Sequence, residues 1–132
     1  MAVTTRHDGR PRASVINAAV VEHPVTGRPV VAFVSLGRVR KLADLRARPQ
    51  ATVIFRADWE WIAVEGDVQL AGPNDRLPGL DEADVLPLLG QIYAAAVGGT
   101  PEEWDELDAR MRDERHTAVL LEPTRIYPTG GA

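Results

Sequence analysis

The sequence predicts a mainly β fold with helices, a small six-stranded antiparallel barrel or strongly coiled sheet, and three observations lead there. Short runs rich in Val, Ile and Thr, bounded by Gly, Pro and Asp-Gly turn signals, recur through residues 2–72. Only one helical pattern interrupts them, too few for a doubly wound parallel sheet. Helical signals then take over until a last apolar run, Thr117 to Leu121, returns to strand. A length of 132 residues with 45% hydrophobic content predicts a single domain, 1–132, with its own core.

The first strand is read over Ala2 to Arg6, closed by a hairpin turn at His7-Asp8-Gly9. The second runs from Arg12 to Val21 and is largely apolar on both faces. Arg12, Ser14 and Asn17 stand out in it, because polar groups in a buried strand need partners. A turn at His23-Pro24-Val25-Thr26-Gly27 leads to the third strand, Pro29 to Ser35, whose Val30-Val31-Ala32-Phe33-Val34 run predicts cover on both sides. A helix over 39–48 follows, ended by Pro49, which restricts the residue before it. The fourth strand is Ala51 to Arg56. After a tight Ala57-Asp58 connection the fifth runs from Trp59 to Leu70, with Ile62, Val64, Gly66, Val68 and Leu70 facing the core. Trp59 and Trp61 at its start can stack on a planar ligand, on a second subunit, or across the strand pair.

Beyond Gly72-Pro73-Asn74-Asp75 a helix is expected over Leu86 to Val97, with Pro87 in its first turn and Gly98-Gly99 at its end. Thr100-Pro101-Glu102-Glu103 reads as a capping box opening a further helix, on which Trp104, Leu107 and Met111 form a packing stripe. The last strand is placed at Thr117 to Leu121, before Pro123 and an extended tail.

The stretch from Phe33 to Pro49 carries the clearest chemical signal. A helix N-terminus is the positive end of its macrodipole, so cations there are disfavoured. Arg46 and Arg48 sit at the favourable end, whereas Arg38, Arg40 and Lys41 crowd the unfavourable one. A bound phosphate or carboxylate reverses the sign of all three. Lys41 is the only lysine beside 14 arginines, which points to a need for a compact ammonium. The plainer reading is a solvated basic face with Asp44 paired to Arg40 or Lys41 at helical spacing. One acid cannot serve three cations.

Charge is divided unevenly around a net −4. Residues 1–56 hold ten Lys/Arg against three Asp/Glu, and residues 57–132 hold five against sixteen. The first half therefore suits an anionic ligand. An acidic total, with no aromatic interleaved among the cations after Phe33, argues against nucleic acid as partner. There is no cysteine, no run of 18 apolar residues and no hydrophobic signal segment, so thiolate chemistry, disulfides, membrane spanning and secretion lack support and the cytoplasm is the expected location. His7, His23 and His116 lack metal-ligand spacing, and no metal site is expected. Nucleophile elbow, P-loop and GxGxxG signals are also missing, so redox chemistry would have to come from a bound cofactor.

The segments RPRASVINAAVV, FVSLGRVRKLADLRARP and WIAVEGDVQL, in that order, resemble the pyridoxamine 5'-phosphate oxidase-like split-barrel flavoproteins of the FMN-binding split-barrel type. The resemblance is closer to their actinobacterial branch, which uses the deazaflavin coenzyme F-420. It implies that Arg40 and Lys41 bind the cofactor phosphate, with Ser35 and Arg12 contributing, while Arg38 joins them from the charge at the helix mouth alone. It also implies ring contacts from Ala13, Ser14, Val15 and Asn17, and a reach across a homodimer by Trp59 and Trp61. The implied activity is hydride transfer from the reduced deazaflavin to an unsaturated small-molecule acceptor; no residue must act as a covalent nucleophile, and a general acid, where one is needed, is water or a pocket tyrosine such as Tyr127. The family also includes FMN-dependent oxidases and reductases, and flavin- or deazaflavin-binding proteins without turnover. A composition heavy in Arg, Ala, Val and Gly fits a GC-rich genome and favours the deazaflavin over FMN. A homodimer is further expected because strands apolar on both faces need more cover than a few helices give.

Overall fold

Seven strands form one antiparallel sheet in the computed structural model, which describes residues 1–100, 103–104 and 108–128. The strands are β1 (Ala2–Thr5), β2 (Pro11–Ser14), β3 (Ala18–Glu22), β4 (Pro29–Ser35), β5 (Gln50–Ala57), β6 (Glu60–Ala71) and β7 (Thr117–Pro128). Helix α1 (Arg40–Ala47) joins β4 to β5, while α2 (Val85–Val97) and α3 (Asp108–Asp113) lie between β6 and β7. The order across the sheet is β2-β1-β5-β6-β7-β4-β3.

This corrects the expectation of six strands and a barrel. The predicted second strand is two strands, β2 and β3, at opposite edges of the sheet, with Val15-Ile16-Asn17 passing between them. In a flat sheet of seven strands these edges would stand roughly 29 Å apart, at about 4.8 Å per strand. The four steps from Ser14 to Ala18 reach at most about 14 Å. The sheet must therefore curl until its edges approach, and the crossing segment spans the gap without a ladder to close it. No Gly or Pro marks this break in the sequence.

Curling gives the sheet an inside and an outside. Val31, Phe33, Val53, Val64, Val68, Val119 and Leu121 face inward, where Leu42 and Leu45 of α1 plug the interior. Burial of a side chain such as Phe33 contributes about 1.5–3 kcal/mol. On the outside Val30, Ala32, Ala118 and Leu120 meet Leu88, Leu89 and Ile92 of α2 and Met111 of α3. The unbroken apolar run of β4 is thus covered on both faces, as its sequence predicts.

Turn chemistry fixes the hairpins. Gly9 at φ 84° closes the β1–β2 turn, and Asp8 Oδ1 accepts the Arg10 N–H at 3.0 Å. Between β3 and β4, His23 Nδ1 accepts the N–H groups of Val25 and Thr26 at 3.1 and 3.2 Å. Its Nε2 therefore donates to Gln69 Oε1 at 2.7 Å, which ties the turn to β6.

The later elements agree in part with their prediction. Helix α2 carries Pro87 in its first turn and stops at Gly98, φ 95°. Thr100 and Glu103 exchange the capping-box bonds, at 3.0 Å from Thr100 N–H to Glu103 Oε2 and 3.4 Å from Glu103 N–H to Thr100 Oγ1. Pro101, Glu102 and Leu107 lie outside the described residues. The final strand does not end before Pro123 but runs to Pro128, because a register shift between Glu65 and Gly66 seats Pro123 opposite Gly66 and lets the ladder resume. Among the described residues no helix is long and apolar enough to cross a membrane.

Candidate functional site

Where β2 crosses to β3, the end of β4 and the start of α1 face it, and together they wall a cleft of about 590 Å³. One wall is Arg12-Ala13-Ser14-Val15-Ile16-Asn17, and the other includes Ser35, Val39, Arg40 and Lys41. Tyr93 of α2 also lines it. Residues far apart in sequence are thus brought together by the curl of the sheet and the single turn from β4 into α1.

The basic end of this cleft has two distinguishing features. Helix α1 begins at Val39 without a side-chain cap and has no acid in its first turn, so nothing local offsets its positive end. Among the described residues, no carboxylate lies within ion-pair distance of Arg38, Arg40 or Lys41. Lys41 is partly buried with its Nζ 5.3 Å from the Phe33 ring centroid, and burial pulls its pKa below the ordinary 10.5. Arg40 is exposed, and Arg38 is exposed beside the cleft without lining it. Ser35 is buried on β4, its hydroxyl donating to the Leu36 carbonyl at 3.3 Å.

Asp44 does not pair with Arg40 or Lys41. It points into the protein, 6% exposed, where its Oδ2 accepts from Arg12 Nε at 2.7 Å and Thr4 Oγ1 at 3.1 Å, with Arg48 Nη2 3.8 Å from Oδ1. Burial works to raise its pKa, but the bonds from Arg12 and Thr4 and the charges of Arg12 and Arg48 outweigh it and hold the carboxyl below the ordinary range. Arg12 thus lines the cleft with its Nε committed to Asp44, which makes it part of the wall's framework as well as a cation facing a ligand.

Three sequence-predicted residues stand elsewhere. Trp61 lines a different hollow of about 540 Å³ with Phe55, Arg56, Glu60 and Ile62 at the turn end of the β5–β6 hairpin. Trp59, at the hairpin tip, is 87% exposed. Tyr127 does not line the cleft either: it lies on β7 opposite Ala63, with the Arg125 guanidinium 4.9 Å from its ring centroid, and its hydrogen bond with Glu65 raises its pKa. The cleft's tyrosine is Tyr93, which sequence reasoning missed. It arrives from a helix more than fifty positions after Lys41, and an aromatic on an apolar helix carries no local sign of facing a site.

The cleft can hold an anion at its Arg40–Lys41 end and a flat group along the crossing segment, whose Val15 is 88% exposed. Its volume falls in the usual range for small-molecule sites, about 300–1,000 Å³.

Comparison with known proteins supports the architecture. No protein-family model matches the sequence, and no curated protein matches it. Solved structures do. A pyridoxamine 5'-phosphate oxidase-related, FMN binding protein from Nostoc punctiforme superposes with a TM-score of 0.66 at 16% identity, covering 96% of this chain and 71% of its own. A conserved hypothetical protein from Mycobacterium tuberculosis gives 0.65 at 16% identity, covering 96% and 73%. A Clostridium acetobutylicum protein of the pyridoxinephosphate oxidase family, related to general stress protein 26, gives 0.61 at 13%, covering 97% and 76%. The chain has the fold of pyridoxamine 5'-phosphate oxidase-like proteins. At these identities it is the fold that is shared.

Proposed function

We propose that this protein is an oxidoreductase of the pyridoxamine 5'-phosphate oxidase-like type that binds coenzyme F-420 in the cleft between β2–β3 and α1 and reduces an unsaturated small molecule. The observation that carries this reading is the cleft itself, where Arg40 and Lys41 crowd an uncapped helix N-terminus without a carboxylate partner, facing the strand residues Arg12 to Asn17. A phosphate fits that electrostatic gap, and a planar ring fits the extended wall beside it.

In this reading Lys41 and Arg40 hold the phosphate, with Arg38 adding long-range attraction from the rim. Ser35 would offer a hydroxyl to the cofactor, and Ala13, Ser14, Val15 and Asn17 would line its ring. The bound cofactor supplies the hydride. The chain's residues would hold and orient it along the wall of the cleft. Lys41, already partly desolvated, gains most from an arriving anion because the attraction acts in a low-dielectric setting.

FMN is the second reading, favoured by the Nostoc punctiforme structure, described as FMN binding. A third is a cofactor-binding protein without turnover. Binding titrations with F-420 and FMN, followed by an acceptor screen with the reduced cofactor, separate them. F-420 bound more tightly than FMN with turnover supports the first reading; the reverse preference supports the second; tight binding with no turnover supports the third.

The assembly proposed is a homodimer in the cytoplasm. Val15, Val20, Ile126 and Trp59 are all more than half exposed, an apolar load that a partner subunit would cover. In that dimer Trp59 and Trp61 reach toward the partner's cleft. Sedimentation at micromolar concentration should give a dimer; a stable monomer contradicts it.

A further inference from the structure

Behind the cleft lies a hydrogen-bonded array that the proposed function does not use. The Tyr93 hydroxyl is 2.9 Å from His116 Nδ1, and His116 Nε2 is 3.2 Å from Glu114 Oε2. Arg110 Nε donates to the other carboxylate oxygen at 2.6 Å. Trp104 stacks on the Tyr93 ring, centroids 4.7 Å apart and planes 17° from parallel. The array is joined to the cradle: the Gly37 N–H donates to the Glu114 carbonyl at 3.0 Å. A Cβ on Gly37 would stand 2.3 Å from Arg115 Cβ, so this approach requires glycine.

The protons in this array can be assigned. An ionised carboxylate only accepts, so His116 Nε2 carries a hydrogen toward Glu114. In a neutral imidazole Nδ1 is then an acceptor, and the Tyr93 O–H is donated to it, away from any occupant of the cleft. Burial first, and then the Glu114 charge, raise the phenol's pKa above the ordinary 10.0 against the opposing Arg110, so Tyr93 keeps its proton at neutral pH.

We propose, resting on the reading of the cleft as a cofactor site, that Tyr93 donates a hydrogen bond to a carbonyl-type oxygen of the bound cofactor, and that this couples cofactor binding to protonation of His116. Turning the phenol O–H to the ligand leaves two lone pairs facing each other across the Tyr93–His116 contact. The mismatch is relieved when the imidazole takes one proton from solvent at Nδ1. The resulting imidazolium donates from Nδ1 to the Tyr93 oxygen and from Nε2 to Glu114 Oε2. One N–H bond forms per ligand bound, and no electrons change hands.

The charges around the array support this direction. Glu114 stabilises the imidazolium, and Arg110 partly opposes it. Across the cleft Arg12, Arg40 and Lys41 add positive field that a bound anion cancels, so the anion that fills the cradle also favours the His116 proton. Tyr93 is then a residue that touches ligand, and His116 and Glu114 are positioning residues that act through it.

Calorimetric titration of F-420 and of FMN into the intact protein at pH 7.5, in buffers of different ionisation enthalpy, counts protons taken up on binding. The wild type should take up about one proton more per ligand than Tyr93→Phe or His116→Asn, since only the wild type has both the phenol that turns and the imidazole Nδ1 that then takes a proton. Asn keeps an acceptor at the Nδ1 position without titrating. Nitrogen NMR of His116 in the wild type, free and liganded, supplies a reading independent of variant folding: both ring nitrogens should become protonated on binding. Equal proton counts in wild type and variants, or a His116 ring that stays neutral when ligand binds, overturns the coupling while leaving the cofactor reading intact. Failure of both cofactors to bind removes the cofactor reading and this inference with it.

Discussion

The two ends of α1 carry the same kind of residue in opposite circumstances. At its C-terminal end Arg46 makes a bidentate contact with Asp75, Nε to Oδ1 at 2.9 Å and Nη2 to Oδ2 at 2.6 Å, and Arg48 donates to the Thr5 carbonyl at 2.8 Å. Both also complement the negative end of the macrodipole. At the N-terminal end Arg38, Arg40 and Lys41 meet a positive dipole, and among the described residues no acid answers them. Arg46 and Arg48 thus have partners within the fold, whereas Arg38, Arg40 and Lys41 have none among the described residues, and the proposed cofactor phosphate would supply one. Asp44, the one acid on α1, makes the same point. It turns inward to Arg12 and Thr4 and leaves the cradle positive.

The largest expected effect on stability comes from removing that acid. Asp44→Ala strips Arg12 and Thr4 of a shared buried acceptor and should destabilise the protein by about 3 kcal/mol, the lower end for breaking a buried pair because Arg12 keeps some contact with water. Chemical denaturation checks this. The same carboxylate sets an acid limit: its pKa is depressed in the folded state, so its contribution is present above its unfolded pKa, about 4, and is lost as pH falls through the lower folded value. Thermal melts of wild type and Asp44→Ala should therefore converge as pH drops below about 4.

Arg46→Ala breaks the Asp75 pair at the surface and should cost about 1 kcal/mol, an effect that shrinks with added salt because the Arg46 side chain is 37% exposed. An Arg46→Ala variant that lost cofactor affinity while keeping its stability would erase the contrast between the helix ends. Smallest of all, Arg38→Ala removes an exposed cation that does not line the cleft. Affinity and stability should each change by less than about 0.5 kcal/mol, as for an ordinary surface substitution.

Most of this molecule's local structure is legible in its residues. The Asp8-Gly9 turn, the doubly covered β4, the single helix after it and the Thr100–Glu103 cap follow from rules that act over a few residues. What is not legible depends on distant partners. The passage of 15–17 from one sheet edge to the other leaves both halves extended and apolar, so no turn residue announces it. Pro123 looked like a strand end because its place in the ladder depends on pairing opposite Gly66 of β6, more than fifty residues away. The site divides along the same line. Arg12, Ser35, Arg40 and Lys41 could be singled out because charge and polarity in apolar surroundings are local anomalies. Tyr93 could not, since only the packing of α2 on the sheet brings it to the cleft, and the choice of Arg12 by Asp44 could not be seen against the nearer Arg40 and Lys41.

If the cations at the head of α1 serve an external anion, Lys41→Ala should lose affinity without losing stability. Titrated with F-420 and FMN, this variant should bind the preferred cofactor about 1.5–3 kcal/mol more weakly, the range for a hydrogen bond to a charged group. Its cofactor-free melting temperature should hold or rise, because one of three crowded cations is gone. Unchanged affinity for both cofactors in Lys41→Ala, repeated in Arg40→Ala, would sink the anion site and return these residues to a solvated basic face.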